Sequence, residues 1–217
     1  MNLANRDHPV FEPEKWNKDK NIKKAHNCYS YALNLIHKDQ GELCGKYMNK
    51  TKKNFCSMLK PQPGRYAGYV DEYKKKRIYT CKKVHKRMKK DNPLIRKLRP
   101  NQKCPDGYYK MALTIREDLL DYHYYRQDKS GLWSHKMGSN AVTNKDASGK
   151  VIRDPQFADR GRYTIFCGYY MVPNKKSLKR MSNKTRRKNN HISRAEKVAN
   201  MFDNSKTRKI RKTSKKV

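Results

Sequence analysis

The sequence is short of acid, of long apolar runs and of closely paired cysteines. Asp and Glu together number 19 against 54 Lys and Arg, which leaves a formal charge of +35. A chain so unbalanced repels itself at low salt unless something acidic neutralises it. The candidate partners are nucleic acid, an anionic membrane surface or an acidic protein surface. No stretch approaches the roughly 20 apolar residues of a membrane span. The opening "MNLANRDHPVFEPEKW" has no apolar run of the kind a signal peptide needs. The expectation is no transmembrane segment and no secretion signal. The six cysteines (28, 44, 56, 81, 104 and 167) show no C-x-x-C spacing. They read as free thiols in a reducing compartment, cytoplasmic or inside a virion. Cys81 and His85 stand at i, i+4, but no second pair at ligand spacing lies near them. Neither a metal nor a cofactor is expected.

What is present divides the chain in three. Apolar residues make up 35% of 217 and charged ones 34%, so part of the chain is expected to stay outside any core. Residues 1–24, with Pro9 and Pro13, read as an extended arm. Residues 25–173 read as one α+β domain with a basic helical insertion near 71–100. Residues 174–217 hold 17 Lys and Arg against Glu196 and Asp203. This tail reads as an interaction arm, ordered within a larger assembly, with a short amphipathic helix over 192–202. The basic residues expected to meet a polyanion are Lys82, Lys83, Lys86 and Arg87 in the insertion. In the tail they are Arg186, Arg187, Lys188, Arg208, Lys209, Arg211 and Lys212.

Periodicity supplies the elements. Asn27 is a good N-cap, so Cys28 falls in the first turn of a helix that runs through Ala32, Leu33, Leu35 and Ile36. Gly41 is a plausible stop. Residues 42–70 look irregular, and "PQPGRYAGY" is a Pro/Gly turn region. Residues 71–91 read as a basic helix ended by "DNP". Strands follow at 108–115, 122–127, 132–137 and 162–172, with a second turn inside 142–152. A helix followed by a run of antiparallel strands is an α+β order.

Three residues invite chemistry. A helix N-terminus lowers a thiol pKa, an imidazole completes the activation, and the local backbone offers an oxyanion hole. Cys28 stands at such a position, with Tyr29 beside it as an oxyanion or orienting candidate. In "DYHYYRQDKSGLWSHKMG" the turn decides whether His123 and His135 share a face. A two-residue loop turns His135 away, whereas a three-residue loop with Gly131 left-handed keeps both imidazoles on one side. "DKSG" fits the second case. His123 is then the base and His135 fixes its tautomer, with Asn144 as a second orienting candidate.

The helix-start "HNCYSYAL" and the text "DYHYYRQDKSGLWSHKMG" resemble the NlpC-type papain-like cysteine peptidases and amidases. They resemble in particular a "DYHxYRQ…WSHK" branch seen in bacteria and large DNA viruses. The resemblance covers roughly 25–173. It implies a papain-like core, with Cys28, His123 and His135 in the triad roles. The basic stretch at 71–100 departs from that pattern, and "PQPG" is the nearest approach to its PGD-type turn. Two readings stand. One is a cysteine hydrolase acting on an amide, isopeptide or thioester, docked by its basic tail to a polyanion or to an assembly such as a virion. The other is a structural virion component, a minor capsid or scaffold protein on an inactive papain-like fold. A dedicated nucleic-acid reader lacks zinc-finger, RRM or helix-turn-helix text.

Overall fold

The structure, a computed structural model, describes residues 7–51, 55–68, 78–99 and 102–174. The expected tail beyond residue 174, its helix at 192–202 and residues 71–77 of the basic helix lie outside the described residues.

Six antiparallel strands form one sheet in the order β1-β6-β2-β3-β4-β5. They are β1 Arg96–Leu98, β2 Tyr108–Ile115, β3 Tyr122–Gln127, β4 Trp133–Lys136, β5 Val142–Thr143 and β6 Ile165–Pro173. Among the described residues six α-helices accompany them, α1 Glu14–Asn17, α2 Lys20–Ala25, α3 Cys28–Ala32, α4 Lys38–Thr51, α5 Phe55–Leu59 and α6 Cys81–Asp91, with a 3-10 turn at Arg65–Ala67. The protein is mixed helix and antiparallel sheet, an α+β fold.

Strand alternation builds two apolar layers. Tyr109, Met111, Leu113 and Ile115 of β2 join Tyr122 and Tyr124 of β3 on one face. Against them pack Cys28, Tyr29 and Ala32 of α3 and Val84 and Met88 of α6. Ala112, Tyr125, Trp133 and Tyr169 gather on the other face with Ile152, beneath the long loop after β5. With both faces covered, β3 and β4 are buried almost from end to end.

Four expectations are corrected. From residue 7 onward the N-terminal segment is part of the body, not an extended arm. Trp16 is buried against His26 and Tyr31, Asp19 caps α2 through Asn21 and Ile22, and the Pro9 carbonyl accepts from Lys129 N–H. Second, the helix begun at Cys28 stops at Ala32. Asn34 is left-handed at φ 52°, and its side-chain oxygen accepts from Arg126 Nη1 at 3.0 Å. Third, residues 42–70 contain helix rather than irregular chain, and Gly41 lies inside α4 instead of ending a helix. A Cβ at Gly41 or Gly45 would stand 2.6 Å from Ile22 or Asn21. These glycines let α4 close on α2.

The fourth correction concerns the thiols. Cys44 is bonded to Cys56, and Cys81 to Cys167. Cys28 and Cys104 stand outside these two disulfides. Pairing across 86 residues leaves no trace in local spacing, which is why the cysteines read as free.

Candidate functional site

Cys28 opens α3 behind a complete cap. The Asn27 side chain accepts from Tyr29 and Ser30 N–H, and the Ser30 hydroxyl accepts from Asn27 N–H. The sulfur is buried in the core, and its hydrogen-bond partner is the Tyr122 carbonyl at 4.0 Å. Burial, reinforced by the negative charge of Asp121, pushes the thiol up to about 12. Desolvation therefore outweighs what a helix of five residues can offer an anion.

The hairpin between β3 and β4 settles the position of the histidines. Asp128 N–H donates to the Leu132 carbonyl, and Gly131, left-handed at φ 84°, donates back to Asp128. The loop is three residues long, and Tyr125 pairs with His135. Both imidazoles fall on one face as diagonal neighbours. His123 Nε2 and His135 Nδ1 are 2.7 Å apart, and His135 Nε2 is 2.9 Å from the Lys145 carbonyl. A carbonyl can only accept, so His135 Nε2 carries a proton, and in the neutral ring that burial favours its Nδ1 accepts from His123 Nε2–H. Both rings are neutral in this arrangement. Burial holds His123 well below the ordinary imidazole range, with His135 adding to the effect, and burial lowers His135 as well.

The structure thus brings His123 and His135 together, and the sulfur of Cys28 stands outside their hydrogen-bond chain. Cys28 packs with Tyr122 and Tyr124. Alternation turns His123 to the other side of β3, between Tyr125 and Tyr163. Tyr29 is committed elsewhere: its N–H goes to Asn27 Oδ1 and its hydroxyl to Asp91 Oδ2 at 2.7 Å. Asn144 gives its backbone carbonyl to Ile152 N–H, and the group behind His135 belongs to the next residue, Lys145. Of the basic residues, Lys82, Lys83 and Lys86 are exposed on α6 and Arg87 is half-buried. The seven in the tail lie outside the described residues.

Several polar centres were not visible in the sequence. Lys136 is wholly buried and gives its ammonium to four backbone carbonyls. These are Lys23 at 2.7 Å, His26 at 2.9 Å, Gly138 at 2.8 Å and Asn140 at 3.0 Å. Arg126 is buried with Asp128 at 2.8 Å and also holds the Tyr31 hydroxyl. His26 donates Nδ1–H to Ile22 and accepts His37 N–H at Nε2. The only available signal was a charged or polar residue inside an otherwise apolar strand or helix pattern. The sulfur of Cys81, at i, i+4 to His85, is in a disulfide. Among the described residues no helix is long and apolar enough to cross a membrane.

No family profile matches the sequence, and no solved structure matches the fold. The chain is 33% identical over 163 residues to insoluble matrix shell protein 1 of Ruditapes philippinarum. That span covers 75% of this chain and 88% of the relative. This similarity corrects the functional expectations: a shell-matrix relative displaces the cysteine hydrolase and the virion component alike. It also displaces the cytoplasmic or virion location, and the two disulfides are at odds with a reducing compartment.

Proposed function

The chain belongs to the family of insoluble matrix shell protein 1, and on that premise we propose that it is a structural component of an extracellular mineralised matrix. The observation that carries this reading is the 33% identity over 88% of the relative. The Cys44–Cys56 and Cys81–Cys167 disulfides support it, because such bonds persist in oxidising surroundings. The charge of +35 supports assembly with acidic matrix material into a larger structure.

In this reading the buried polar centres are braces. The His123–His135 pair ties the hairpin to the Lys145 loop, and Cys28 fills core volume under Tyr122. The papain-like resemblance enters as a proposal about the scaffold alone, supported by a cysteine-bearing helix packed on an antiparallel sheet. The test is fractionation. Mineralised tissue of the source organism is demineralised and washed in detergent, and the residue is compared by mass spectrometry with the soluble extract and with cell lysate. Peptides of this chain are expected to concentrate in the insoluble residue. Their confinement to the lysate sinks the reading.

A further inference from the structure

Helix α6 concentrates charge in a way that works against its own stability. Its sequence "CKKVHKRMKKD" carries five lysines and one arginine, with no acid in the first turn. Lys82 and Lys83 stand at the end where the helix dipole disfavours cations. The spacings 82 to 86, 83 to 87 and 86 to 90 are like-charge i, i+4 pairs, which also oppose a helix. The one acid, Asp91, is turned inward. It accepts from the Tyr29 hydroxyl and from the N–H groups of Gly64 and Ala67. Among the described residues no carboxylate lies within ion-pair distance of Lys82, Lys83, Lys86, Lys89 or Lys90.

The helix is held from behind. Val84 and Met88 are fully buried, Thr80 accepts from Lys83 N–H, and Cys81 is bonded to Cys167 of β6. His85 lies over Tyr170, its ring centroid 5.3 Å away. The cationic surface then continues onto the edge strand β1 through the exposed Lys97, which pairs with Tyr170 and so shares the α6 side of the sheet.

We propose that the outer face of α6, extended by Lys97, is the docking surface for an acidic polypeptide. We further propose that the Cys81–Cys167 disulfide holds this surface in register. The inference rests on the matrix reading only for where such a partner would be met. Two observations favour a polypeptide over a polysaccharide. Among the described residues, neither α6 nor β1 contains a Trp, Tyr or Phe on which a sugar ring could stack. Lys82, Lys86 and Lys90 also rise in steps of about 6 Å, four residues at 1.5 Å. Alternate side chains of an extended polypeptide stand about 6.6–6.8 Å apart. Carboxylates on every second residue can therefore meet successive lysines.

The experiment uses the full oxidised chain and immobilised poly-L-aspartate over a salt series. A Lys82→Glu, Lys86→Glu, Lys90→Glu variant is compared with a Lys209→Glu, Lys212→Glu, Lys216→Glu variant of identical net charge. Circular dichroism confirms that both retain the parent fold. The α6 variant is expected to bind about tenfold more weakly and with a shallower salt slope, and the tail variant to lose less than about threefold. Reduction of the parent is expected to weaken binding with every charge in place. Equal losses in the two charge variants overturn the surface, since charge anywhere on the chain would then suffice. Unchanged affinity on reduction overturns the role of the disulfide. Preferential binding to heparin over poly-L-aspartate, lost in the same α6 variant, overturns the polypeptide assignment in favour of a sulfated polysaccharide. None of these outcomes bears on tissue fractionation, which alone decides the matrix reading.

Discussion

Lys136 carries an ammonium into the core, and all four of its hydrogen-bond partners are backbone carbonyls. Burial pulls it down to about 7, with Lys60 adding to the effect. The carbonyl cage opposes that pull by favouring the charged form. The four oxygens come from α2, the turn before α3 and the segment after β4, so one side chain ties three pieces of chain together. Lys136→Met leaves those carbonyls without their donor. The expected loss is about 3 kcal/mol, read from the urea midpoint; a variant as stable as the parent removes the brace. Histidines give the chain its response to acid. His26 is lowered to about 4, chiefly by burial. Between about 6.5 and 4 the unfolded chain takes up a proton that the folded chain refuses. Stability is therefore present above 6.5 and is lost as pH falls toward 4, by about 3 kcal/mol over the whole window. Burial lowers His37 and His135 in the same sense. Asp91 and Asp128, raised by burial, act oppositely at the acid end. Urea midpoints at pH 7, 5.5 and 4.5 are expected to fall in order, and less steeply in His26→Gln.

Among the elements, the two disulfides divide the labour of stabilisation unequally. Cys44–Cys56 spans 12 residues and clips α5 to α4, whereas Cys81–Cys167 spans 86 and joins α6 to the sheet. On a chain-entropy account the short loop contributes about 3 kcal/mol and the long one about 4.5 kcal/mol. Cys81→Ser is thus expected to lower thermal stability more than Cys44→Ser, and an equal or reversed order counts against the account. The same elements show what the sequence could reveal. Strands β2 and β3 were legible to the residue, because period-two patterning and the D-K-S-G turn are local chemistry. So was the N-cap at Asn27, and so was the turn parity that puts His123 beside His135. Helix α4 was not legible: its apolar stripe is thin, and its two glycines look like breakers until α2 is placed against them. The early end of α3 was hidden for the same reason, since Asn34 turns left-handed to reach an arginine 92 residues away. The place of Cys28 at the head of α3 was legible from the Asn27 cap. Its electrostatics were not, because the desolvation that raises the thiol belongs to the assembled core.

For the whole molecule, charge and covalent closure act on different scales. The body is closed by its own N-terminal segment: Asp7 accepts from Gly107 N–H and Asn174 Nδ2, and the Val10 carbonyl accepts from Arg126. These contacts fix the body from within, but they neutralise almost none of the +35. Alone, the protein is expected to stay dispersed at low salt, because every copy repels every other. Mixed with poly-L-aspartate, it should separate into an insoluble complex, since the released counterions favour association. The screening length falls from about 10 Å at 0.1 M salt to about 3 Å at 1 M, so the complex should redissolve across that range. Turbidity against salt concentration measures this directly. A complex that persists unchanged at 1 M salt would mean that apolar contact or covalent linkage holds it, and the charge would then have no part in insolubility. Redissolution in salt by both oxidised and reduced chain, with the oxidised form requiring the higher concentration, is the outcome that joins the charge to the disulfide-held fold.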